Sequence, residues 1–150
     1  MNDQDSNVSF FRFEDLRIYA KAMDYISWMY GILANPTGNE NVSFLKESFL
    51  KSAQNIALNT AEGSSRNKTQ FLYYLKMAKS SVRECVVFTE LAYRMNALDD
   101  EAKNYSCNQL MELTKMIGSL IASLQRSTGV SSQDDKIDDF GEPIPNINTL

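Results

Sequence analysis

Residues Gln54 to Glu90, QNIALNTAEGSSRNKTQFLYYLKMAKSSVRECVVFTE, constrain the fold more than any other stretch of the chain. Ala53, Ile56, Ala57 and Thr60 recur at helical spacing, and Gly63 is expected to end that helix in the left-handed conformation. Asn67 and Gln70 form an Asn-x-x-Gln variant of the capping box just ahead of a second periodic run. Phe71, Leu72, Leu75, Ala78, Val82, Cys85 and Val86 then recur at three- and four-residue steps, the pattern of a helix with one buried stripe. A short polar turn between two such helices forces them antiparallel, which is half of a four-helix bundle.

The flanking sequence supplies the other half. Helix 1 is expected from Glu14 to Leu33, ended by Asn35-Pro36 and Gly38. It carries two adjacent apolar stripes. One is Leu16, Tyr19, Ala20, Met23, Ser27, Tyr30 and Leu33; the other is Ile18, Ala22, Tyr25, Met29 and Ile32. Two readings stay open: a deeply buried helix, or a second stripe (Ile18, Tyr25, Met29, Ile32) that packs on another subunit. Helix 2 is expected over Ser43–Ala61, with Leu45, Phe49, Ser52, Ala53, Ile56 and Thr60 inward. Helix 3 is expected over Lys68–Asn96, and helix 4 over Glu101–Gln125 with Asp99 or Asp100 as its cap. Leu110, Leu113, Ile117, Leu120, Ile121 and Leu124 form the clearest core stripe in the chain. The fold class is therefore all-α, an up-down-up-down antiparallel four-helix bundle over residues 10–126. Residues 1–9 read as a disordered leader. Residues 127–150 read as an acidic tail, either disordered or docked through Ile137, Phe140, Ile144, Ile147 and Leu150.

Composition narrows the chemistry. The chain has no histidine, which removes a His base, a His-activated nucleophile and a His metal ligand. Cys85 and Cys107 both fall on expected apolar faces and read as reduced core thiols of a cytoplasmic protein. No metal site, cofactor motif or small-molecule substrate is evident, and no apolar run is long enough to span a membrane. The net charge of −4 is uneven: residues 10–126 hold 14 Lys and Arg against 12 Asp and Glu, so the acidity sits in the two tails.

Two constellations remain. Asn59, Glu62 and Arg66 gather near Gly63 at the end of helix 2, where Glu62 could act as a general base oriented by Arg66. The structural reading has Arg66 pair with Glu62 and Asn59 bond backbone across the turn. The second is basic: between Glu62 and Glu84 there is no acid, but there are Arg66, Lys68, Lys76, Lys79 and Arg83. The last four lie along one side of helix 3, with Tyr73 and Tyr74 among them. Such a stripe suits phosphate-backbone contact, and equally a plain solvated face.

Asn59-Thr60-Ala61-Glu62-Gly63 followed by Arg66 resembles the Asn-x-Ala-Glu-Gly-x-x-Arg signature of the 23S rRNA intervening-sequence protein family. Tyr74-Leu75, Ala78, Ser81, Glu84 and Leu91-Ala92-Tyr93-Arg94 are similar to that family's third helix, and Phe13-Glu14-Asp15-Leu16 with Ala22 to its first. The resemblance spans Phe10 to Gln125 and implies four-helix bundles closed into a ring, a pentamer foremost. The family has no established activity. The reading is a cytoplasmic, homo-oligomeric binding or scaffold protein, not an enzyme, contacting nucleic acid through helix 3. The alternatives are a small enzyme using Glu62, Arg66 and Asn59, or a pure protein scaffold.

Overall fold

The computed structural model describes Phe13, residues 16–34 and residues 40–128; the leader, Glu14 and Asp15, the expected stop at Asn35-Pro36 and Gly38, and the tail beyond Thr128 lie outside these residues. Four helices make up the described chain, with no strand among them: α1 (Arg17–Leu33), α2 (Glu40–Ser64), α3 (Lys68–Arg94) and α4 (Asp100–Thr128). Helix α2 packs on α3, α3 on α4, and α1 on both α2 and α4, around one core.

The caps follow from sequence. The Asn67 side chain accepts from the Gln70 N–H at 2.9 Å, and the Asp99 carboxylate from the Ala102 N–H at 2.8 Å. Each satisfies a donor that the first helical turn leaves without a partner. Helix α3 ends in a Schellman motif: Asn96 takes φ 58°, its N–H reaches the Tyr93 carbonyl, and the Ala97 N–H reaches Ala92.

Gly63 does not do that job for α2. It lies within the helix, which runs on to Ser64 and closes through the Ser64 and Ser65 hydroxyls on the Ala61 and Glu62 carbonyls. Gly63 is buried because α3 sits against it. A Cβ there would stand 2.6 Å from Tyr74 Cβ and 2.8 Å from Phe71 Cδ2. Helix propensity alone favours Gly→Ala by about 1 kcal/mol, but overpacking costs about 1–3 kcal/mol. Gly63→Ala should therefore destabilise the fold in denaturant unfolding. Gly31→Ala and Gly118→Ala, also helical but with nothing within 4 Å of the added carbon, should stabilise it. A stabilised Gly63→Ala variant would mean that α2 and α3 are not in close contact here.

The core takes Phe49, Ala53, Ile56 and Thr60 from α2, Leu72, Leu75, Ala78 and Val82 from α3, and Leu110, Leu113, Ile117 and Ile121 from α4. Leu45, Phe71, Leu120 and Leu124 pack on it from its edge. Two expectations fail. Val86 is 46% exposed, and Cys107 is exposed; the core stripe of α3 continues through Thr89 and Ala92 instead.

On α1 the stripe assigned to another subunit is the chain's own core. Ile18, Ala22, Tyr25 and Met29 are buried together with Ile26 and Leu33, whereas Met23 and Tyr30 of the other stripe are exposed. Of the four proposed interface residues only Ile32 reaches the surface. The physical reason lies in the phenol of Tyr25, which needs a partner when buried. Ser106 of α4 provides it at 2.7 Å, and Ser106 is also 2.7 Å from Thr89 of α3. Thr89 donates to the Cys85 carbonyl at 2.7 Å, which uses its single hydrogen. Ser106 must then donate to Thr89, and Tyr25 to Ser106. The chain of donors runs one way across three helices and leaves none of its hydrogens unpaired. Burial pushes the Tyr25 phenol well above its usual pKa, with Cys85 adding to the effect, so it stays a donor at any physiological pH. Trp28 stacks beside Tyr25 at 5.8 Å and meets Tyr105 at 4.7 Å, tying α1 to α4.

Candidate nucleic-acid interface

The end of α2 and the start of α3 hold the Asn59–Arg66 cluster, and each of its side chains is already engaged. Arg66 Nε donates to Glu62 Oε1 at 3.0 Å, a second bond runs from its Nη2, and its guanidinium lies 5.7 Å from the Tyr74 ring centre. The hydrogen bond to Glu62, with Tyr74 next in effect, raises the Arg66 pKa further above its ordinary value. The pairing with Glu62 is the one expected from sequence. Asn59, however, bonds within its own helix, donating to the Asn55 carbonyl at 2.9 Å, and does not cross the turn. Helical spacing explains both: Glu62 to Arg66 and Asn55 to Asn59 are i, i+4 pairs. With Gly63 pressed on Phe71 and Tyr74, this corner is a filled helix contact.

The basic side of α3 is arranged differently. Lys68 opens the helix and is exposed, and its Nζ donates to Ser127 Oγ of α4 at 3.3 Å. Lys76 and Lys79 follow two and three turns later with half-buried side chains, and Arg83 one turn beyond with an exposed one. A long lysine stem can lie on apolar surface while its ammonium stays in water. Among the described residues, Lys68, Lys76 and Lys79 have no carboxylate within salt-bridge distance.

Three acids of the bundle are engaged by groups other than these lysines. Glu84 accepts from Ser52 Oγ of α2 at 2.7 Å. Glu90 takes Arg94 at 2.9 Å and Lys103 at 3.0 Å, which hold its carboxyl below the usual range, Arg94 most strongly. Glu112 pairs with Lys21 on the α1 side of α4. Tyr73, half-exposed, stands at the Lys76 end of the stripe with its ring edge-on to Tyr74 at 5.4 Å. The arrangement can offer a row of cations and one aromatic face to a polyanion, with Arg66 held to Glu62 beside it.

Sequence reasoning missed the cluster at the α3–α4 turn. There Lys103 lies 4.1 Å from the Tyr93 ring centre, and Tyr93 donates to Asp100 at 2.6 Å. The signal was present, since Glu90, Tyr93 and Arg94 share one end of α3, but Lys103 joins them only through tertiary contact.

A family model of the 23S rRNA-intervening sequence proteins matches residues 14–119, more than half of the chain. No curated protein matches the chain.

Proposed function

The chain belongs to the 23S rRNA-intervening sequence protein family, and from that premise we propose that it is a non-catalytic, self-assembling binding protein. It works in the cytoplasm and contacts nucleic-acid backbone through α3. Its four helices would form an up-down-up-down antiparallel bundle. In support, Phe49 meets Phe88 at 5.7 Å, and Ser52, further along α2, bonds Glu84, earlier on α3. The observation that carries the binding reading is the row Lys68, Lys76 and Lys79, which makes no salt bridge among the described residues. Lysines in such a row bind by releasing counterions from phosphates, with little demand on base identity.

Self-assembly is supported by apolar side chains outside the core. Phe44 and Leu58 of α2 are 71% and 62% exposed, and Val87 and Leu91 of α3 are exposed as well. Apolar groups left in water on α2 and α3 are what a subunit contact would bury. A ring closed by head-to-tail contacts, the pentamer foremost, would cover them and repeat the basic row.

Sedimentation of the protein alone and with a labelled single-stranded RNA, over a range of salt, tests both parts. Alone, it should sediment at several times the 17.0 kDa chain mass. The RNA affinity should fall with salt. The Lys68→Gln/Lys76→Gln/Lys79→Gln variant should lose about 2 units of the log–log salt slope, at ~0.7 per phosphate contact. An unchanged slope would remove the assignment to α3, and a 17.0 kDa species at tens of micromolar would remove the assembly.

A further inference from the structure

The weakest seam of the fold is the one between α1 and α4. It opens into a groove of about 540 Å³, lined by Leu16, Arg17 and Ile18 on one side and by Lys115, Met116, Ser119 and Leu120 on the other. Its floor is apolar and its rim is cationic. Arg17 and Lys115 are both exposed, and among the described residues neither makes a salt bridge. Among the described residues, the acid nearest Lys115 in sequence, Glu112, is paired with Lys21. An occupant of matching chemistry would carry apolar side chains with carboxylates between them.

Such a segment lies a short way beyond α4 in sequence. Residues 137–144 read Ile-Asp-Asp-Phe-Gly-Glu-Pro-Ile, with apolar side chains at Ile137, Phe140 and Ile144 and acids at Asp138, Asp139 and Glu142. The reach is ample. The groove residues Lys115 to Leu120 lie 8–13 residues before Thr128, roughly 12–20 Å back along the helix at 1.5 Å per residue. An extended chain covers that in roughly four to six residues at ~3.3 Å each, and Ile137 is nine residues beyond Thr128. We propose that residues 137–144 of this chain occupy the α1–α4 groove, their carboxylates facing Arg17 and Lys115. The tether favours this occupant over a free peptide, because a short covalent link holds the segment at an effective concentration of ~1 mM or more.

Hydrogen exchange of the full-length protein, compared with an Arg17→Glu/Lys115→Glu variant, tests the assignment. Both substitutions are at exposed positions, and circular dichroism checks that helix content is retained. In the wild type, amides of residues 137–144 should exchange at least ~10-fold more slowly than a free chain, and the variant should lose that protection. Phe140→Ser should lose it too, with the groove residues unchanged in sequence. Free-chain exchange in the wild type would overturn the proposal, as would protection that survives charge reversal. Protection found in residues 1–12 instead would make the leader the occupant, and protection that grows with protein concentration would make it a second copy; either result overturns the assignment.

Discussion

Tyr25→Glu should leave the chain largely unfolded, as seen by loss of helical circular dichroism. The side chain is fully buried at the centre of α1, between Trp28 and the Ser106–Thr89 pair. Truncating a buried aromatic costs about 3–5 kcal/mol. A carboxylate in its place adds the cost of burying a group with no cation opposite it, several kcal/mol more unless it takes up a proton. Together these rival the whole stability of a domain, ~5–15 kcal/mol. Tyr25→Phe is the control. It removes only the first donor of the chain and leaves Ser106 still donating to Thr89, so the loss should be about 0.5–1.5 kcal/mol. A Tyr25→Glu protein that stayed folded and merely fell to a smaller mass would place Tyr25 at a subunit contact and overturn the packing of α1.

Leu113→Ala and Ile117→Ala should each destabilise the fold by about 2–5 kcal/mol, the range for removing buried aliphatic groups whose cavity cannot collapse. Both residues have no exposed surface and sit midway along α4, where the core draws on all four helices. Met111→Ala, on the same helix but half-exposed, should change stability by less than ~0.5 kcal/mol. Denaturant unfolding with an unchanged m-value separates these outcomes. Equal effects at Leu113 and Met111 would mean that the wrong face of α4 has been turned inward.

Much of the fold was legible because the signals were local. The cap at Asn67, the cap at Asp99 and the turn after Met95 each depend on a side chain and a backbone a few residues apart. The Glu62–Arg66 pair was legible for the same reason. The three lysines of α3 follow from spacing alone, but their lack of a carboxylate partner among the described residues does not. It depends on Ser52 of α2 holding Glu84, and on Lys103 of α4 sharing Glu90 with Arg94. The groove at Arg17 and Lys115 joins residues nearly a hundred positions apart, and no sequence pattern marks it.

The sequence by itself determined that there are four helices, where α3 and α4 begin and which stripe of α4 is buried. A long apolar period admits one solution when only one face is apolar. It did not determine the inward face of α1, where two stripes stand side by side. That choice belonged to Ser106 and Thr89, which give the Tyr25 hydroxyl a partner that the opposite face lacks. Nor could it tell a glycine that ends a helix from one that makes room for its neighbour. Gly63 is read correctly only with Phe71 and Tyr74 in place, because what selects a missing Cβ there is the side chain of another helix.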